Sequence, residues 1–569
     1  MYNDYPNYKL EFGEIYKGWD LLSQEILKSK SLVWIFDGPH YLNWELIKSG
    51  LNISENFVFV NFEECILDKE DLKTKISDLN LYTCISYGFP CPVSIRDFLS
   101  EAKTDHIKQE IDTLKLDVDK KIIIYGAGSS LLNYESSKLC WVELPVSNKN
   151  YISDKSLFNK KRLCGDLTQD FDKSFQYIDE PITRKNRTEI INQIHLFIYL
   201  NSEKAPLFTL GSVIRDNMKS LSCRPFRIKP VFFEKIWGGQ FLRMHTKNED
   251  AFQNIAGSYE MVSTKNNVIF TYKDFHVEIP FDLFVSLDPL KMLGRKVIES
   301  YGKEIPFCIY LTDTINGGDL SCQVHPTKEY NKAILGSDYL MEEMYYVVKS
   351  EDLASINLGF VENCDLNEFR ARIRDSEISK TQVDLKKYIK NWKTKQGSVF
   401  HIPPGSIHNI CKNNLVMEVI SSNNIITFRF YDFLRKNQDE SYRKLDIDDA
   451  WNTLNQSVDD NFVRKNLIPR KKISKKEKNW VECTFEFRSP TVMKISEITF
   501  SESYEDNNLK PGFHVLNLVE GERVLIECGD TNHILNYLET IVIPAATGRY
   551  KVINQSNKKS VILKVKPNV

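Results

Sequence analysis

The sequence predicts an α+β multidomain chain, with an amino-terminal α/β domain followed by two β-barrel or jelly-roll regions that carry helical insertions. Three observations predict it. Short buried strands alternate with helical stretches from about residue 15 to 222, closely spaced aromatic and β-branched segments fill 231–435, and short strands return over 480–569. The expected domains are 1–222, 223–470 and 471–569, and 569 residues are too many for a single core.

In chain order, Ser31–Asp37, Phe57–Phe62 and Lys121–Tyr125 read as buried strands, and Ile95–Leu114 and Arg187–Leu200 carry helical spacing. Asp37-Gly38-Pro39 and Gly126-Ala127-Gly128 supply turns after two of those strands. In the β-rich part, Phe307–Leu311, Leu320–His325, Met344–Val348, Ser398–Ile402, Leu415–Ile420 and Thr427–Tyr431 read as strands. Residues 365–393 and 446–467 show helical periodicity, and the basic run Arg470–Lys478 looks like a linker.

Basic residues (75) nearly balance acidic ones (77), so the composition argues against nucleic acid or an anionic membrane as partner. The twelve cysteines include no CxxC pair, which favours reduced thiols over a disulfide framework. Met1–Phe12 lacks the apolar core of a signal peptide, and no apolar run approaches the about 20 residues needed to cross a bilayer. A cytoplasmic chain is the expectation.

The segment Ser321-Cys322-Gln323-Val324-His325-Pro326 carries the most chemistry. Residues two apart on a strand share a face, so Gln323 and His325 project together. Met341-Glu342-Glu343-Met344-Tyr345-Tyr346 puts carboxylates at the entrance of an apolar run. Phe400–His408 alternates and then turns at Pro403-Pro404-Gly405, which sets His408 at the start of a strand. Three such segments in one barrel can bring together one amide oxygen, one carboxylate and two imidazoles, a set suited to a borderline divalent ion with open positions.

From about residue 223 the chain resembles type I mannose-6-phosphate isomerases (phosphomannose isomerases), zinc enzymes of the cupin fold. Lys235-Ile236-Trp237-Gly238-Gly239 is similar to that family's K-x-W-G-G opening, and Leu320–Pro326 to its L-S-x-Q-V-H-P signature. Glu343-Met344-Tyr345-Tyr346 resembles E-M-W-Y, Ile402–His408 resembles P-x-G-T-x-H, and Thr427–Asp432 resembles T-Y-R-x-Y-D. The resemblance implies a zinc-dependent interconversion of mannose 6-phosphate and fructose 6-phosphate through an enediolate, with one zinc per chain. It implies metal ligands at Gln323, His325, Glu343 and His408, and a catalytic or phosphate-orienting Arg429; Lys235, Trp237 and Lys328 are this chain's own candidates for substrate contacts. It also implies that 471–569 is a second cupin without metal, whose His514 and His533 are not at ligand spacing.

This chain departs from the family at Met341, where many members carry a lysine, and at Glu342, where threonine or proline is commoner. Glu260, Glu342, His401 and Lys328 are the candidates for general base. Two other readings stand beside the isomerase: a non-catalytic sugar-phosphate-binding regulator, and a cupin Fe(II) oxygenase, against which Gln323 and Arg429 argue.

The amino-terminal domain looks like a divergent nucleotide- or phosphotransferase-like α/β fold. Val33–Asp37 followed by Gly38-Pro39 has the shape of a phosphate-binding loop, but His40-Tyr41-Leu42 follows and no Gly-Lys-Ser/Thr element does. Leu131 likewise replaces the third glycine of a dinucleotide fingerprint after Gly126-Ala127-Gly128. A nucleotide or phosphate ligand there is left open.

Overall fold

The computed structural model describes residues 2–51, 56–116, 120–144, 171–200, 205–247, 252–338, 340–421, 426–437, 439–507 and 512–569. The chain forms two compact units that interleave along the sequence. One comprises Met1–Pro6, Leu221–Val268 and Asp288–Val569, and the other Asn7–Ser220 and Ile269–Leu287. One junction lies between Ser220 and Leu221, and the exchange of Met1–Pro6 and Ile269–Leu287 has no local signal in the sequence. Both pieces are placed by long-range pairing: the Tyr2 hydroxyl donates to Glu260 (2.7 Å), and Asn7–Lys9 pairs in parallel with Ile269–Thr271.

In the unit made of 7–220 and 269–287, a seven-stranded sheet runs in the order Tyr16–Lys17, Leu207–Leu210, Leu196–Tyr199, Lys138–Glu143, Val33–Asp37, Lys121–Tyr125, Phe57–Asn61. The last five are mutually parallel, and Leu207–Leu210 runs antiparallel to both of its neighbours. Val33–Asp37 is buried along its whole length, as a central parallel strand covered on both faces must be. Trp34, Phe36, Cys140, Val142 and Ile198 pack in one core with Leu22, Ile26, Trp44 and Ile47.

Two predicted helices are corrected here. Ile95–Leu114 is a 3-10 turn, Ile95–Phe98, and a helix, Glu101–Leu114, that starts where the Ser100 side chain accepts from Lys103 N. Arg187–Leu200 contains the end of helix Glu180–Ile190 and then the strand Leu196–Tyr199. Its apolar residues serve a helix face first and a two-faced strand second, and the two patterns run together in sequence.

In the other unit, a six-stranded antiparallel sheet has the order Val399–Ile402, Glu343–Ser350, Asn414–Ile420, Cys308–Asp313, Gly257–Met261, Val231–Phe233. A five-stranded sheet has the order Ile389–Lys393, Ser355–Phe360, His408–Ile410, Cys322–Val324, Phe428–Tyr431. Tyr345, Val347, Phe400, Ile402 and Val416 from the first sheet share a core with Ile356, Leu358 and Ile410 from the second. The two sheets therefore form a sandwich closed around one apolar interior. Of the two stretches with helical periodicity, 446–467 contains the helix Ile447–Thr453, but 365–393 is helical only over Leu366–Ser379, capped where Asp365 accepts from Glu368 N (2.9 Å), and ends as the strand Ile389–Lys393.

Residues 470–567 build a second sandwich from a six-stranded and a four-stranded sheet, with Ile498, Leu516, Val524, Ile541, Tyr550 and Ile562 in its core. The linker expected at Arg470–Lys478 is instead the strand Arg470–Lys476, exposed at every residue and, among the described residues, paired with Trp480–Glu486 alone. An edge strand buries no face, so it lacks apolar alternation, and its lysines suit an edge that must not pair with another chain.

Candidate metal centre

The five-stranded sheet brings together residues far apart in sequence. Gln323 lies directly opposite His408 on one side and Arg429 on the other. Directly opposed residues in an antiparallel pair share a face, so these three side chains form a row across the sheet. His325 follows Gln323 by two residues. Glu343 comes from the other sheet, at the start of strand Glu343–Ser350 and opposite Ile402 and Ile420.

The four expected ligands meet inside the sandwich. His325 Nε2 lies 3.2 Å from Glu343 Oε1, His408 Nε2 lies 3.5 Å from Glu343 Oε2, and the Gln323 amide nitrogen lies 3.4 Å from His408 Nε2. The two imidazole centroids are 4.9 Å apart. Rotation of the Gln323 amide exchanges its nitrogen for its oxygen and turns an acceptor toward the same point. Both imidazoles are oriented by backbone: His325 Nδ1 lies 2.9 Å from the Ile426 carbonyl oxygen, and His408 Nδ1 lies 2.9 Å from that of Ser406. That pairing commits each Nδ1 and turns each Nε2 inward, as second-layer hydrogen bonds do for metal-binding histidines.

The residues present fit a cation. His325 Nε2 and Glu343 Oε2 are buried without a hydrogen bond of good geometry. Among the described residues, His325, Glu343 and His408 are the one group of three metal-competent side chains close enough to share an ion. Burial pulls the His408 pKa down to about 4, so it is neutral at pH 7 and its Nε2 lone pair is free to bind. Burial also acts on His325 and Glu343, but their mutual attraction outweighs it, raising the imidazole and lowering the carboxyl.

Two functional candidates escaped the sequence reading. Glu418 lies opposite Tyr345 and Tyr310 on the interior face, and burial, reinforced by the Glu343 charge, raises its pKa to about 8. Tyr345, two residues from Glu343, is fully buried with its ring centroid 6.1 Å from that of His408, and its hydroxyl lacks a hydrogen bond of good geometry. The available signal was the alternation in Leu415-Val416-Met417-Glu418-Val419-Ile420, where one acid interrupts an apolar strand.

The expected base candidates are committed elsewhere. Glu342 occupies the opposite strand face from Glu343, 3.2 Å from His401 Nε2, and accepts from Val492 N (2.6 Å). Glu260 accepts from Tyr2 and from Ser258 (2.6 Å), and Lys328 is exposed with Nζ 3.6 Å from Asp338. Lys235 is exposed, with Nζ 5.9 Å from the Phe233 ring centroid. Trp237 is buried in the same interior core as Tyr345. The glycines after it are required by close approach: a Cβ on Gly238 would lie 1.9 Å from Asn254 Oδ1, and one on Gly239 would lie 2.3 Å from Asp313 Oδ1.

Arg429 is half-buried, and its backbone N–H donates to Asp446 (3.3 Å). Among the described residues its guanidinium has no ion-pair partner, whereas Arg435 and Arg443 both pair with Asp432. In the second sandwich, His514 is consumed by Tyr550 (2.7 Å), and Lys564 pairs with Glu482 (2.8 Å) and Asp506 (3.0 Å).

Comparison with known proteins adds a lineage to this geometry. The chain is 30% identical over 237 residues to a probable mannose-6-phosphate isomerase, GmuF, of Bacillus subtilis (strain 168), covering 40% of this chain and 67% of the relative. The chain belongs to the mannose-6-phosphate isomerase family. The family's ManA from the same organism is 24% identical over 347 residues, covering 58% of this chain and 96% of that one. A solved mannose 6-phosphate isomerase structure from Bacillus subtilis aligns over 60% of this chain and 99% of its own, at 20% identity and a TM-score of 0.48. A profile described as a domain of unknown function (DUF8485) matches residues 18–223 of this family member. No helix among the described residues is long and apolar enough to cross a membrane.

Proposed function

We propose that the chain is a metal-dependent aldose–ketose isomerase of cupin type that interconverts mannose 6-phosphate and fructose 6-phosphate. The observation that carries this reading is the convergence of Gln323, His325, Glu343 and His408 on one point, in a chain of this family. Two neutral imidazoles, an amide oxygen and a carboxylate suit zinc and leave it net positive charge. When bound, such an ion stabilises negative charge on the sugar oxygens as a proton moves between C1 and C2.

The remaining work falls to the chain's own residues. Glu418 is placed to take the C2 proton on a carboxylate oxygen and return it to C1, since it faces the interior beside the cluster. Compensating the Glu343 charge lowers the Glu418 pKa toward the working range, because that charge is one cause of its elevation. Trp237, Ile356 and Leu358 keep the interior apolar, which strengthens these electrostatic effects. Arg429 offers a free guanidinium fork for the phosphate. Met341 is fully buried beside Val262, Cys308, Tyr310 and Ile420, so the family's lysine has no counterpart here. The arginines around Asp432 outnumber its carboxylate and supply positive charge instead.

The test is an assay coupling glucose 6-phosphate formation to mannose 6-phosphate consumption. Turnover that stops with chelator and returns with zinc is the expected result. Tight sugar-phosphate binding without turnover would instead identify a regulator, and oxygen consumption an oxygenase.

A further inference from the structure

We propose that the unit made of 7–220 and 269–287 binds a small phosphomonoester in a crevice lined by Arg96, Lys185, Asn186 and Glu189. The sheet order places Val33–Asp37 between Lys121–Tyr125 and Lys138–Glu143; its connection runs to Phe57–Asn61 on one side, and that of its neighbour Lys138–Glu143 runs to Leu196–Tyr199 on the other, so the direction reverses between these two strands. In such sheets ligands bind outside the carboxyl ends of the strands, at that reversal.

A nucleoside triphosphate is a poor fit to the loop after Val33–Asp37. The Asp37 carboxylate itself accepts from the backbone of Gly38 (2.7 Å), Gly128 (2.8 Å) and Ser130 (3.0 Å), and both its oxygens take the Asn186 amide (3.2 and 3.1 Å). Those N–H groups are the kind that cradle phosphate in a glycine-rich loop, and here they already hold an anion. Counting the P-loop spacing from Gly38 puts the fully buried Trp44 where the phosphate-binding lysine would stand.

The open volume lies beside this loop pair. A cavity of about 240 Å³ is lined by Ser94, Ile95, Arg96, Leu131, Lys185, Asn186 and Glu189. That is below the about 300–1,000 Å³ of drug-sized ligand sites, so it suits a small metabolite better than a whole nucleotide. Its polar floor is fixed, because Asn186 is buried and held by Asp37. Arg96 and Lys185 are exposed and make no ion pair among the described residues. Two cations against one carboxylate favour an anion, and Glu189 together with Asn186 can accept from ligand hydroxyls.

Hydrogen–deuterium exchange on the full chain tests this, with inorganic phosphate and glycerol 3-phosphate as probes. Both should protect residues 94–99 and 180–190, glycerol 3-phosphate at the lower concentration. Arg96→Ala/Lys185→Ala should weaken that protection about tenfold or more while isomerase turnover stays unchanged. Glu189→Gln should tighten it, which keeps the test decisive if the double variant folds poorly. Absence of protection in the wild type at 10-fold the concentrations used for ordinary metabolite sites, or protection that persists in the double variant, overturns the assignment. Neither result depends on the metal centre, because the protected peptides lie in different segments of the chain.

Discussion

Replacing Glu418 with Gln should raise stability and abolish turnover together. Without a bound cation the carboxyl has a pKa of about 8 against an ordinary 4.5. An acid raised in this way keeps its full stability contribution below pH 4.5 and loses it progressively as pH rises through about 8. At pH 7 the difference of 2.5 units from the ordinary value of 4.5 corresponds to about 3 kcal/mol, and at pH 5 to under about 1 kcal/mol. Glutamine stays neutral and nearly isosteric, so Glu418→Gln should exceed the wild type by those amounts in chelator. The gap should narrow with zinc, which offsets the Glu343 charge that contributes to the elevation. Loss of the proton-transfer group should lower kcat about 10²–10⁴-fold. Thermal melts at pH 5 and 7, with and without zinc, and the coupled assay provide the readouts. A variant less stable than wild type at pH 7 in chelator, or one within tenfold of wild-type turnover, would refute the reasoning.

Three further outcomes are expected. Arg429→Lys should raise KM for the sugar phosphate about tenfold without changing zinc content, because a point charge replaces a bidentate fork; steady-state kinetics and metal analysis check it. Tyr345→Phe should weaken zinc binding about tenfold or more in a chelator competition if its hydroxyl supports the spare oxygen of Glu343; unchanged affinity would assign the hydroxyl to packing. Arg187→Met should destabilise the unit of 7–220 and 269–287 by about 3–5 kcal/mol in urea denaturation, since Glu143 (3.1 Å) and Asp282 (3.3 Å) would be left buried without their cation.

The features visible in the sequence were those with a local period. Strand alternation placed Gln323 with His325 and set His408 at a strand start, and the buried run before Gly38-Pro39 proved to be a central parallel strand. What was not visible depends on pairing between distant segments. Nothing local indicates that Gln323 faces Arg429 and His408 across the sheet, or that Glu418 sits opposite Tyr345. Arg470–Lys476 concealed its strand because an edge needs no apolar face, and Asn7–Lys9 reached its partner strand across more than 250 residues.

X-ray absorption at the zinc edge of the reconstituted protein tests the ligand set most directly. Two imidazoles, one amide and one carboxylate predict a first shell of nitrogen and oxygen alone, at about 2.0–2.2 Å. Buried thiols such as Cys308, Cys322 and Cys411 lie in the same unit and would give a different signal. A sulfur scatterer at about 2.3 Å would place the ion on cysteine and contradict the centre described above.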